Sequence, residues 1–110
     1  MNHRRGHCYA YAAEFVLQHP EYLLAHGTCT GRGPIAGERF GHAWCEVRTA
    51  DGVDVVFDVV SGKYFRRDAY YEAGEITHTR RYSAGDVMRK LLETKHYGPW
   101  CKKIQTASHD

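Results

Sequence analysis

Apolar residues recur at helical spacing early in the chain. Cys8, Ala12, Phe15 and Val16 fall on one face of a helix, and the three alanines of this segment, Ala10, Ala12 and Ala13, favour helix by propensity. Gly6 suits a turn into that helix and Pro20 suits a stop, which predicts a helix over 8–19. Residues 22–26 read as a short strand. Residues 27–37, with four Gly and one Pro, read as the most flexible loop of the chain. Aromatic and β-branched content predicts a strand over 39–49. Asp51-Gly52 then gives a hairpin signal, followed by a strand over 53–60 whose Val-Val-Phe-Asp-Val-Val run predicts burial on both faces. A turn at 61–63, a short helix over 67–73 ending at Gly74, and a strand over 76–82 come next. The last helix is expected over 83–95. Ser83 is its N-cap, Asp86 its third position, and Val87, Met88, Leu91 and Leu92 its apolar stripe. This order predicts an α+β fold: an N-terminal helix carrying Cys8 packed on an antiparallel sheet, with a second long helix near the C-terminus.

Length sets the scale. A chain of 110 residues makes one domain, 1–110, with 102–110 expected as a polar tail. Hydrophobic and charged contents of 43% and 25% are ordinary globular values. No apolar run approaches the ~18 residues of a membrane span. The first seven residues lack the apolar stretch of a secretory signal, so a reduced, cytoplasmic setting is expected. A net charge of +2 is too small to argue for nucleic acid by itself.

Eight His and four Cys change the picture more than the bulk numbers do. Cys8, Cys29, Cys45 and Cys101 contain no C-x-x-C pair, which argues against a structural zinc site. Cys29 falls in the glycine-rich loop, Cys45 inside a strand, and Cys101 near the polar tail; packing is expected for these three. Cys8 opens a helix, where unpaired amides and the positive end of the dipole favour a thiolate.

The hairpin supplies partners for that thiol. Alternation puts Phe40, His42, Trp44 and Glu46 on one face of the first strand, and Ala43, Cys45 and Val47 on the other. Asp58 is an acid inside an apolar run, costly to bury without a partner. An even-numbered loop would place Cys45 opposite Asp58 and turn His42 away. A three-residue Ala50-Asp51-Gly52 loop, with Gly52 left-handed, pairs Trp44 with Asp58 and makes His42 and Asp58 diagonal neighbours on one face. The odd register is expected. Three roles follow: Cys8 as nucleophile, at a helix start beside that face; His42 as its base; Asp58 as the group that orients the imidazole. The backbone at Cys8 and the Asn2 side chain are candidates for an oxyanion hole. Specificity is expected from the 27–37 loop with Cys29, from Trp44 at the cleft wall, and from the aromatic segment ending at Trp100.

These residues also carry a resemblance. His42-Ala43-Trp44-Cys45-Glu46-Val47, followed by Asp-Gly and a strand ending near Asp58, resembles the His-Ala-Trp-x-Glu-Val … Asp pattern of the transglutaminase-like superfamily. Gly6-His7-Cys8-Tyr9-Ala10-Tyr11-Ala12 resembles that superfamily's Cys-bearing helix start, and the chain order Cys, His, Asp agrees. Papain-like enzymes share the thiol helix and the sheet that follows. The resemblance implies acyl transfer at an amide of a protein, a peptide or a small molecule, with no cofactor and no metal. Hydrolysis or glutamine deamidation is expected over cross-linking, because so short a chain has little surface to organise an amine substrate.

Two other classes compete. One is a binding or inhibitor module that keeps the fold without the chemistry. The other is a nucleic-acid binder using the pairs Arg66-Arg67, Arg80-Arg81, Arg89-Lys90 and Lys102-Lys103 with aromatic stacking. His3, His7, His26 and Cys29 form a weaker metal-ligand set. Tyr70-Tyr71 reads as packing of the short helix, and Tyr97 with Trp100 as a cap over the last one.

Overall fold

The computed structural model describes residues 7–31 and 33–101. Helix α1, Cys8–Gln18, leads into strand β1, Leu23–Thr30. A 3-10 turn at Gly33–Ile35 precedes β2, Arg39–Arg48, and β3, Asp54–Asp58. Then come β4, Lys63–Arg66, α2, Arg67–Gly74, β5, Thr77–Tyr82, and α3, Ala84–Thr94. The strands form one antiparallel sheet in the order β4-β3-β2-β1-β5. The fold is α+β, with helices at both ends of the chain. Among the described residues, no helix is long and apolar enough to cross a membrane.

Each face of the sheet has its own helix. Cys8, Ala12, Ala13 and Val16 of α1 bury Leu24, Ala43 and Cys45, and Val87 of α3 joins them. On the other face Tyr70 and Tyr71 of α2 cover Ala25, Trp44 and Val56. The body of α1 therefore lies on the face opposite His42, and the residue of α1 that acts on His42 is its first, Cys8. That residue packs with Ala43 and Cys45 of β2, and the β2–β3 ladder runs from Cys45 to Arg48, leaving the first half of β2 outside it.

The hairpin has the odd register. Cys45 pairs with Phe57 and Arg48 with Asp54. Thr49 N–H donates to Val53 O at 2.9 Å across the Ala50-Asp51-Gly52 loop, and Gly52 is left-handed at φ 86°. The expected glycine-rich loop is shorter than the composition implied. β1 continues through Gly27, Thr28 and Cys29, because it is paired on both sides and buried. Gly27 is a close-approach residue: a Cβ there would stand 2.7 Å from Trp44 Cη2. β3 ends at Asp58, and only Val56 is fully buried in it, so the 53–60 run is not buried on both faces. β4 replaces part of an expected turn; it is an exposed edge strand.

α2 forms over the expected stretch, with Glu75 rather than Gly74 as the left-handed cap. α3 begins with a capping box: Asp86 N–H donates to Ser83 Oγ at 3.1 Å and Ser83 N–H to Asp86 Oδ2 at 3.3 Å. Its apolar stripe is narrower than expected. Val87 and Leu91 reach the core, while Met88 and Leu92 are 47% and 66% exposed, because α3 packs only one edge of its surface on α1 and the sheet.

Candidate functional site

The odd register brings two side chains together at the floor of a cavity. Trp44 stands level with Asp58, so His42 lies diagonally across from the carboxylate on the same face. His42 Nε2 is 3.9 Å from Asp58 Oδ2, and the two side chains are only 14% and 16% exposed. Between them sits Tyr70 of α2. Its hydroxyl donates to Asp58 Oδ2 at 3.0 Å and lies 3.1 Å from His42 Nε2. Asp58 Oδ1 accepts the Val60 N–H at 3.0 Å and the Ser61 N–H at 3.4 Å.

These contacts fix the imidazole tautomer. A phenol has one proton, and here it goes to the carboxylate, an acceptor when ionised. The Tyr70 oxygen must then accept from His42 Nε2–H, which leaves Nδ1 as the nitrogen that gains or gives up the titrating proton. Nδ1 is buried and takes no hydrogen bond of ordinary geometry. The Cys8 thiol is close enough to the ring to raise its pKa.

Electrostatics agree with the geometry. Burial alone would lower the His42 pKa. Asp58 and then Cys8, through hydrogen bonding and charge, outweigh it and push His42 up to about 9. Burial would raise Asp58, but His42, Tyr70 and the Ser61 amide hold its carboxyl below the usual range. Burial, then Asp58, push the Tyr70 phenol far up, so it stays a hydroxyl.

Cys8 is the first residue of α1, as expected, and is 1% exposed. Cys45 donates its thiol to Ala12 O at 3.5 Å, and burial pushes it up to about 12; it packs. Cys29 is buried in β1 and lines the cavity with His42 and Asp58. Trp44 is a correction. It is fully buried under α2 and stacks on His42 at 5.7 Å, so it supports the ring from behind and offers no surface to a substrate. Trp100 is another: it lines a separate cleft with Arg80, Arg89 and Lys90. Asn2 and His3 lie outside the described residues, as do Lys102, Lys103 and the expected tail. Among the described residues no three His, Cys, Asp or Glu are grouped to hold a metal ion.

Two features escaped the sequence reading. One is Tyr70, expected only to pack. The other is Glu46, buried on the same face, which accepts from Trp44 Nε1 at 2.8 Å, from Arg81 Nε at 2.7 Å and from the Tyr71 hydroxyl. A strand acid in the His-Ala-Trp-x-Glu pattern was the available signal for Glu46; nothing local marked Tyr70.

His26 lies behind the site. It is fully buried, both ring nitrogens lack hydrogen-bond partners, and Tyr9, Tyr82 and Trp100 surround it. The aromatic segment thus caps His26 more than α3. Burial, reinforced by His42, pushes the His26 pKa down from 6.5 to about 3. The unfolded chain, not the folded one, takes up this proton between those values, so stability is lost as pH falls through that window. Urea denaturation at pH 7 and pH 5 should show His26→Phe escaping about 2 kcal/mol of the acid-side loss suffered by the parent. Equal losses in both proteins would place the sensitivity elsewhere.

No protein-family model, curated protein or solved structure matches the chain.

Proposed function

We propose that this protein is a thiol-dependent acyl-transfer enzyme acting on an amide, a minimal relative of the transglutaminase-like and papain-like enzymes. The observation that carries the proposal is the arrangement around His42. One nitrogen is committed to Tyr70 and, through it, to Asp58, while Cys8 at a helix start neighbours the same ring. Nδ1 is the nitrogen left for the thiol.

The chemistry then balances. The proton shared by Cys8 and His42 stays on His42 Nδ1, where the raised imidazole pKa holds it, while sulfur bonds to the amide carbonyl carbon and the C=O electron pair moves to oxygen. The tetrahedral intermediate collapses, the C–N bond breaks, and His42 gives its proton to the departing amine. Water attacks the thioester, passing a proton to His42; the acid leaves and sulfur again shares that proton with His42. Asp58 stabilises the charged ring through Tyr70 and the direct 3.9 Å approach. Peptide hydrolysis and glutamine deamidation both fit this sequence of steps, and no cofactor enters it. In this reading the backbone N–H at the start of α1 donates to the oxyanion.

One observation favours the alternative of a catalytically silent binding module: the Cys8 thiol is nearly closed off. Alkylation separates the two. Iodoacetamide at pH 7, mapped by peptide mass, should label Cys8 at least about tenfold faster than Cys45 and Cys29. Uniformly slow labelling of all three would favour the silent module.

A further inference from the structure

We infer that the cavity against His42 is an acyl-group pocket selecting a bulky, uncharged apolar side chain next to the carbonyl that Cys8 attacks; this rests on the acyl-transfer reading above. The cavity encloses about 560 Å³, within the ~300–1,000 Å³ typical of small-molecule sites. Its walls are Ile35, Phe40, Phe65, Ala69, Ala73 and Ile76. His42, Asp58 and Tyr70 stand together in the lining, already bonded to one another, and Cys8, which is not itself in the lining, adjoins the cavity through the His42 ring. Among the described residues no Lys, Arg, Asn or Gln lines it. A carboxylate would therefore meet the Asp58 charge with no separate cation to pair with, and a primary amide would give up water for apolar walls. An aromatic or branched aliphatic group would gain from the same walls.

The walls are built to leave this space open. Ala69 and Ala73 lie one helical turn apart on α2 and present only methyl groups. Arg39 ties the far side together, donating to Thr30 Oγ1 at 2.8 Å and to Glu75 O at 2.6 Å. Those bonds hold β2 against β1 and against the end of α2, so the cavity is spanned by fixed elements. Phe65 belongs to the lining and is itself partly exposed, an apolar residue placed where a ligand would enter.

The test uses 4-nitrophenyl esters of N-acetyl-phenylalanine, N-acetyl-glycine and N-acetyl-glutamate. Cys8 attack breaks the ester C–O bond, releases 4-nitrophenolate and leaves a thioester that water then hydrolyses. The phenylalanyl ester should exceed the other two by at least about tenfold in kcat/KM. Ala69→Phe, checked for folding by circular dichroism, should collapse the phenylalanyl-to-glycyl ratio toward one, and Ala73→Phe should repeat the result from the next turn. Equal rates for the three esters with Cys8 still acylated would overturn the pocket assignment and leave the acyl-transfer reading standing. A preference that survives both folded variants would also overturn it. No acylation of Cys8 by any ester would remove both.

Discussion

Cys8→Ala removes acyl transfer: turnover of an activated ester should fall by about 10³-fold or more, to the rate left by binding and general polarity alone. The expectation is large because every covalent step proposed here passes through that sulfur. His42→Ala should fall about as far, since residues that act as a unit do not lose activity additively. The double variant should be no worse than either single one. The check is steady-state release of 4-nitrophenolate from N-acetyl-phenylalanine 4-nitrophenyl ester by the three variants. A Cys8→Ala protein within tenfold of the parent would place the chemistry on another residue, Cys29 being the other cysteine beside His42.

Glu46→Ala should be the most destabilising substitution of a polar residue, by about 3 kcal/mol. The carboxylate is buried, and it satisfies the Trp44 indole N–H, which is itself fully buried. Removing it strands that donor, which costs about 1–3 kcal/mol. It also releases Tyr71 and Arg81. Arg81 is 39% exposed and can recover water, so its loss is the smaller part. Glu46→Gln keeps an acceptor for the indole and should lose roughly half as much. Urea midpoints with unchanged slope measure both. A Glu46→Ala midpoint indistinguishable from the parent would mean the network carries no net stability. The site should also loosen, since Trp44 stacks on His42.

The sequence made the hairpin legible because its rule is local. Asp51-Gly52 selects a three-residue loop, the loop sets the register, and the register decides that His42 and Asp58 share a face. Helix boundaries were legible for the same reason, the end of α1 from Pro20 and the start of α3 from the Ser83 and Asp86 pair. The misreadings share a different cause. Gly27 looks like a loop residue until Trp44 is seen pressing on it across the sheet. Alternation sorts residues between two faces without saying which helix covers which face, so the separate coverage by α1 and α2 had no signal in the hairpin. Tyr70 reaches His42 across 28 positions of sequence and Tyr71 reaches Glu46 across 25; contacts at that separation leave no local pattern. β4 is exposed throughout, and no buried face writes a period-two pattern into it.

The most direct measurement is intact and peptide mass spectrometry of the protein mixed briefly with N-acetyl-phenylalanine 4-nitrophenyl ester and quenched in acid. The account predicts one added N-acetyl-phenylalanyl group on the peptide bearing Cys8, discharged by neutral hydroxylamine and absent from Cys8→Ala and His42→Ala. No adduct, or an adduct carried by another residue and unaffected by loss of His42, would contradict it.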